Sequence, residues 1–243
     1  MLIIFDVEGT LINSRDLYYS KLKEGFDKIG TSLDLDADTC YHLRALPPLR
    51  KLEDFVRAYM NKGKELETLL KMPLNEAEEK AREWIAYAVS QDILDTVQKI
   101  YSNLNTEGEN NISVRYIPAG RKALLMALKI RGHKLALVSN SSKESIEKDF
   151  ADILDVFNVV ISKEDLSNLK PSPEGINLAL QKLHESSNNV LLLGDSKIDA
   201  DTAKAAKVKF IPVLSGMAIK EWCEAMSDVV FKDANDLLTY KFE

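Results

Sequence analysis

The chain has 243 residues, 45% of them apolar and 29% charged, the composition of an ordinary globular protein with room for one large domain or two modest ones. A net charge of −6 and a pI near 5.3 exclude a general nucleic-acid binder, which would carry a basic face. Two cysteines in no metal-ligand spacing, no leader-like N-terminus and no apolar run approaching about 18 residues predict a cytoplasmic protein with no disulfide and no membrane span.

The first element reads as a strand. Leu-Ile-Ile-Phe at 2–5 is an unbroken apolar run that stops on Asp6, followed by Val7, Glu8, Gly9 and Thr10. Such a run predicts a strand buried on both faces, its C-terminal tip presenting acids to a crevice. Helical spacing then predicts helices over 16–29, 51–61, 64–70 and 75–103. In the last of these Ala81, Trp84, Ile85, Ala88, Ile93, Val97 and Ile100 recur on one face, and Asn75 with Glu78 forms a cap-like start. Residues 105–111 are polar and read as a linker.

Beyond Val114 helices and strands alternate. Helices are predicted at 119–131, 143–154, 173–184, 198–206 and 218–226, strands at 135–138, 159–162, 190–193, 209–213 and 229–231, and a short final helix ends the chain. This alternation predicts an α/β core with a doubly wound, Rossmann-like parallel sheet, interrupted after its first strand by an all-helical insert. The core would take 1–15 and 113–243, and the helical domain 16–112.

Other strand tips carry chemistry too. The strand at 135–138 ends in Ser139 and Asn140, and the strand at 190–193 in Gly194 and Asp195, with Asp199 one helical turn on. Between them Lys170 precedes Pro171 and Pro173. Singly, Ser139 reads as a helix cap, Lys170 as a solvated charge and Asp199 as a first-turn acid favoured by the helix dipole. In this order the motifs resemble the four-motif signature of the haloacid dehalogenase superfamily of phosphohydrolases. The insert lies where members with a helical cap, similar to phosphoglycolate phosphatases, carry theirs.

The resemblance implies a Mg²⁺-dependent phosphatase that hydrolyses a small phosphorylated metabolite through an aspartyl-phosphate. Asp6 would be the nucleophile and would hold Mg²⁺ together with Asp195 and the backbone carbonyl of Glu8, while Asp199 would orient metal-bound water or ligate the ion directly. Ser139, Asn140 and the backbone amides after Asp6 would bind the phosphoryl oxygens, and Lys170 would neutralise charge on Asp6 and phosphate. Glu8 departs from the pattern, which has Asp as the general acid and base. One extra methylene threatens rate, since misplacement by about 1 Å can cost on the order of 10²-fold, but leaves the carbonyl ligand in place. Alternatives of the same resemblance are a phosphomutase and a non-catalytic binding or regulatory relative, the latter suggested by Glu8. In the insert, His42–Arg50 reads as a loop between helices, where Arg44 or Arg50 could hold a substrate carboxylate or second phosphate. No nucleic-acid or membrane partner is expected, and the chain would be a monomer or homodimer.

Overall fold

The structure is a computed structural model and describes residues 1–102 and 120–242. The chain divides into two compact units. One comprises Met1–Asn13, Ile117–Gly216 and Cys223–Glu243, the other Ser14–Tyr116 and Met217–Trp222.

The first unit is built on five parallel strands: β1 (Leu2–Phe5), β2 (Lys134–Val138), β3 (Val159–Ile161), β4 (Val190–Gly194) and β5 (Lys209–Pro212), in spatial order β3-β2-β1-β4-β5. Both faces of the sheet are buried. Leu2, Ile4, Ala136, Val138 and Leu192 belong to one core cluster, and Ile3, Phe5, Leu137, Leu191 and Leu193 to the other. Each of the larger side chains contributes about 1.5–3 kcal/mol by leaving water, and this is why the strands read as unbroken apolar runs. Helices Arg121–Ile130, Lys143–Asp149, Glu174–Leu183 and Lys197–Ala206 alternate with the strands. This is the doubly wound arrangement that the alternation predicts.

One expected strand does not form. Residues 229–231 contribute a single bridge, Val213 to Phe231, with Phe231 N–H donating to Pro212 O and Leu214 N–H donating to Phe231 O, both at 2.9 Å. The next ladder bond would need a donor from Pro212, which has none.

The register sets the site. Phe5 pairs with Leu137 on one side and Leu193 on the other, so the tips of β1, β2 and β4 end within one residue of one another. The chain runs outward from β1 to β2 and β3, then returns to β4 on the other flank. That reversal is the topological switch point, where open α/β sheets gather ligands.

The second unit is helical, with helices Arg15–Lys28, Ala37–Leu43, Leu52–Lys62, Leu74–Trp84 and Gln91–Ser102 and 3₁₀ turns at Pro47–Leu49 and Gly63–Lys71. The single helix expected over 75–103 is two. Asn61 Nδ2 donates to the Trp84 carbonyl at 3.1 Å, taking up a main-chain acceptor at the helix end. Asn75 is not the cap, because the helix starts at Leu74 behind Pro73. The stretch 42–50 is not one loop, since His42 and Leu43 close a helix and Pro47–Leu49 forms a 3₁₀ turn. The linker expected at 105–111 and the boundary at 112/113 lie outside the described residues. Among the described residues, no helix is long and apolar enough to cross a membrane.

Candidate active site

Asp6 is the first residue past β1, and its amide still donates to Leu193 O at 2.9 Å, so the sheet fixes its backbone. Asp195 is the first residue past β4, and Asp199 lies in the first turn of helix Lys197–Ala206. One carboxylate oxygen from each of Asp6, Asp195 and Asp199 can be chosen so that all three lie within 4.8 Å of one another. Lys170 joins them from the loop before helix Glu174–Leu183. Its Nζ lies 2.5 Å from Asp6 Oδ1 and 2.6 Å from Asp199 Oδ1.

All four side chains are buried, with Lys170 only 8% and Asp195 0% exposed. Burial works against the Lys170 ammonium, but the Asp199 and Asp6 carboxylates outweigh it and hold its pKa above the ordinary lysine range. Three carboxylates and one ammonium carry a formal charge of −2. An all-oxygen donor set of that charge suits a hard divalent cation.

Local sequence aims each group. Asp199 Oδ2 accepts from Ser196 Oγ at 2.6 Å and Ser196 N at 3.2 Å, a capping box that turns its other oxygen to Lys170. Asn140 brackets the Lys170 backbone. Its Oδ1 accepts from Lys170 N at 2.9 Å, and its Nδ2 donates to Lys170 O at 3.2 Å. The peptide between Lys170 and Pro171 is cis. Ser139, buried at the tip of β2, donates its amide to Ile161 O at 3.0 Å and accepts at Oγ from Ser141 N at 3.1 Å.

The turn after Asp6 narrows one expectation. The amides of Thr10, Leu11 and Ile12 donate to Val7 O, and that of Gly9 donates to Ile12 O at 2.6 Å. These four donors serve the turn, so a phosphoryl group cannot draw on the whole run of amides after Asp6. Glu8, half-buried, forms a bridge to Ile12 within that turn. Arg44 and Arg50 belong to the helical unit. There the Arg44 guanidinium stacks 4.0 Å from the Tyr18 ring centroid, and Arg50 donates to the Met217 sulfur. His42, given no role by sequence, sets Nδ1 2.6 Å from Met217 O.

A sequence model of the family described as haloacid dehalogenase-like hydrolase matches residues 3–213. The chain belongs to that family. It is 27% identical to a phosphoglycolate phosphatase of Shigella boydii over 97% of this chain and 90% of that one. It is 26% identical to pyrophosphatase PpaX of Bacillus pumilus, over 63% of this chain and 68% of the relative. A solved structure from Lactobacillus delbrueckii subsp. bulgaricus, assigned as a phosphoglycolate phosphatase, superposes with a TM-score of 0.77 at 19% identity, covering 97% and 95% of the two chains. At that identity the likeness speaks for the fold.

This haloacid dehalogenase-like hydrolase also has two glycines against the site, Gly9 within the first motif and Gly216 outside all of them. A side chain on Gly9 (φ +82°) would put its Cβ 1.9 Å from Asp195 Oδ2, and one on Gly216 would come 2.1 Å from Asp195 Cβ. The Asp195 side chain therefore lies where neither glycine can carry a substituent. Gly216 follows Ser215 after β5, and no local spacing marks either as a site residue.

Proposed function

We propose that this chain is a Mg²⁺-dependent phosphatase that releases phosphate from a small phosphorylated metabolite, with Asp6 as nucleophile. The observation that carries the reading is the buried Lys170 ammonium, 2.5 Å from Asp6 Oδ1 and 2.6 Å from Asp199 Oδ1, beside Asp195. A cation so placed offsets the charge of Asp6 and orients one oxygen, leaving the carboxylate to attack phosphorus.

Attack by Asp6 forms its bond to phosphorus as the bond to the leaving alcohol breaks. Glu8 gives that alcohol a proton. Water then attacks the aspartyl-phosphate, Glu8 takes the water's proton, and Asp6 is freed. The Ser139 hydroxyl donates a hydrogen bond to a phosphoryl oxygen, Lys170 offsets charge, and Asn140 holds the Lys170 backbone in register. Asp6, Asp195 and the Glu8 carbonyl would hold Mg²⁺, while Asp199, already accepting from Lys170 and Ser196, orients Lys170. When bound, the ion supplies positive charge against the transferring phosphoryl group. Arg44 and Arg50 are the candidates for a second anionic group on the substrate.

The test is phosphate release from a broad panel of phosphorylated metabolites with Mg²⁺. Wild type should act on at least one member, and Asp6→Asn should lose the activity. No release from any member would overturn the phosphatase reading, and isomerisation of a sugar phosphate without release would make the chain a mutase.

A further inference from the structure

Asp195 is fully buried and flanked by Gly9 and Gly216, whose missing side chains leave the space its carboxyl group fills. Two hydrogen bonds tie these flanks together. Ser215 Oγ donates to Gly9 O at 3.0 Å, and Asn13 Nδ2 donates to Ser215 O at 3.3 Å. The β5 end is anchored as well, because Val213 N–H donates to Gly194 O at 3.0 Å and Leu214 N–H to Phe231 O at 2.9 Å. Ser215 therefore joins the turn after Asp6 to the segment after β5, with Asp195 between the two glycines they carry.

We propose that Ser215 and Asn13 are positioning residues that clamp this glycine slot, holding Asp195 and the Glu8–Gly9 peptide in the orientation that binds a divalent ion. The inference rests on the metal reading above and extends it to residues outside the four motifs. Neither side chain needs to touch the ion. Ser215 acts through Gly9 O, the carbonyl next after that of Glu8, and Gly216 closes the slot against Asp195. Partners of this kind that orient a ligand typically change metal affinity by about 10–100-fold when removed.

The experiment titrates Mn²⁺ into the purified full chain and reads free Mn²⁺ by electron paramagnetic resonance, so that no turnover is required. Ser215→Ala should weaken Mn²⁺ binding by about tenfold while leaving the metal-free urea midpoint near wild type. Ser215→Thr keeps the hydroxyl and should restore most of the affinity, and Asn13→Ala should fall between. Gly216→Ala should weaken binding most, its methyl displacing Asp195. If that variant fails to fold, Ser215→Ala still decides. Wild-type affinity in Ser215→Ala overturns the clamp while leaving the metal site standing. The same holds if Ser215→Thr binds as weakly as Ser215→Ala. A wild-type chain that binds no Mn²⁺ overturns the metal reading and the clamp with it.

Discussion

A lysine buried between two carboxylates is a coupled group, since removing one partner strands the others' charge in a place water cannot reach. Lys170→Met should therefore lower unfolding stability by about 3–5 kcal/mol and abolish phosphate release. Adding Asp199→Asn should recover part of the stability without recovering activity, because the neutral amide no longer needs the ammonium. Urea denaturation of both single variants and the double variant checks the pair, and a strictly additive result would mean that Lys170 and Asp199 do not act together. Glu8 is tested differently. Glu8→Gln should cut turnover by roughly 10²–10⁴-fold with little change in Mg²⁺ affinity, because its proposed metal contact is main-chain. The strand-tip positions of Asp6, Asp195 and Ser139 and the loop position of Lys170 were legible because short apolar runs or proline punctuation mark where elements stop. Ser215 and Gly216 were not. Their importance comes from a neighbour distant in sequence, and no periodicity records that.

At the scale of elements, small caps decide boundaries that hydrophobic spacing cannot. Asp36 accepts from Thr39 N–H at 2.7 Å and starts helix Ala37–Leu43, a helix the sequence reading passed over. That backbone hydrogen bond holds the Asp36 carboxyl below its ordinary pKa. A depressed folded-state pKa makes the contribution fully present above the unfolded value near 3.9 and lost as pH falls through the lower folded value. Asp36→Ala should thus cost about 1 kcal/mol at neutral pH. Its urea midpoint should approach that of wild type below about pH 4. Asp36 is exposed, so added salt should shrink only the electrostatic part of that gap. The helix expected over 75–103 failed for a related reason. Its apolar stripe continues across residues 85–90, but the Asn61 amide competes for a carbonyl at the break. Tertiary hydrogen bonds of this sort leave no mark in the local pattern.

For the whole molecule, the sheet was legible because buried parallel strands must be continuously apolar, and the helical insert because it lacks such runs. The strand expected at 229–231 was lost to Pro212, whose missing donor matters only once β5 has a neighbour. The central place of β1 has a further consequence, for synthesis. Leu2 pairs with Lys134 and Val190, 132 and 188 residues further along the chain. At about 5–20 residues per second, the first strand made waits roughly 10–40 s for its second neighbour. A fragment ending at residue 189 should lack the cooperative urea transition of the full chain, while a fragment retaining β4 and β5 should begin to regain it. Until then Leu-Ile-Ile-Phe is an uncovered, aggregation-prone segment on the nascent chain, so the strand that leads into Asp6 is also the one most exposed to capture by a chaperone.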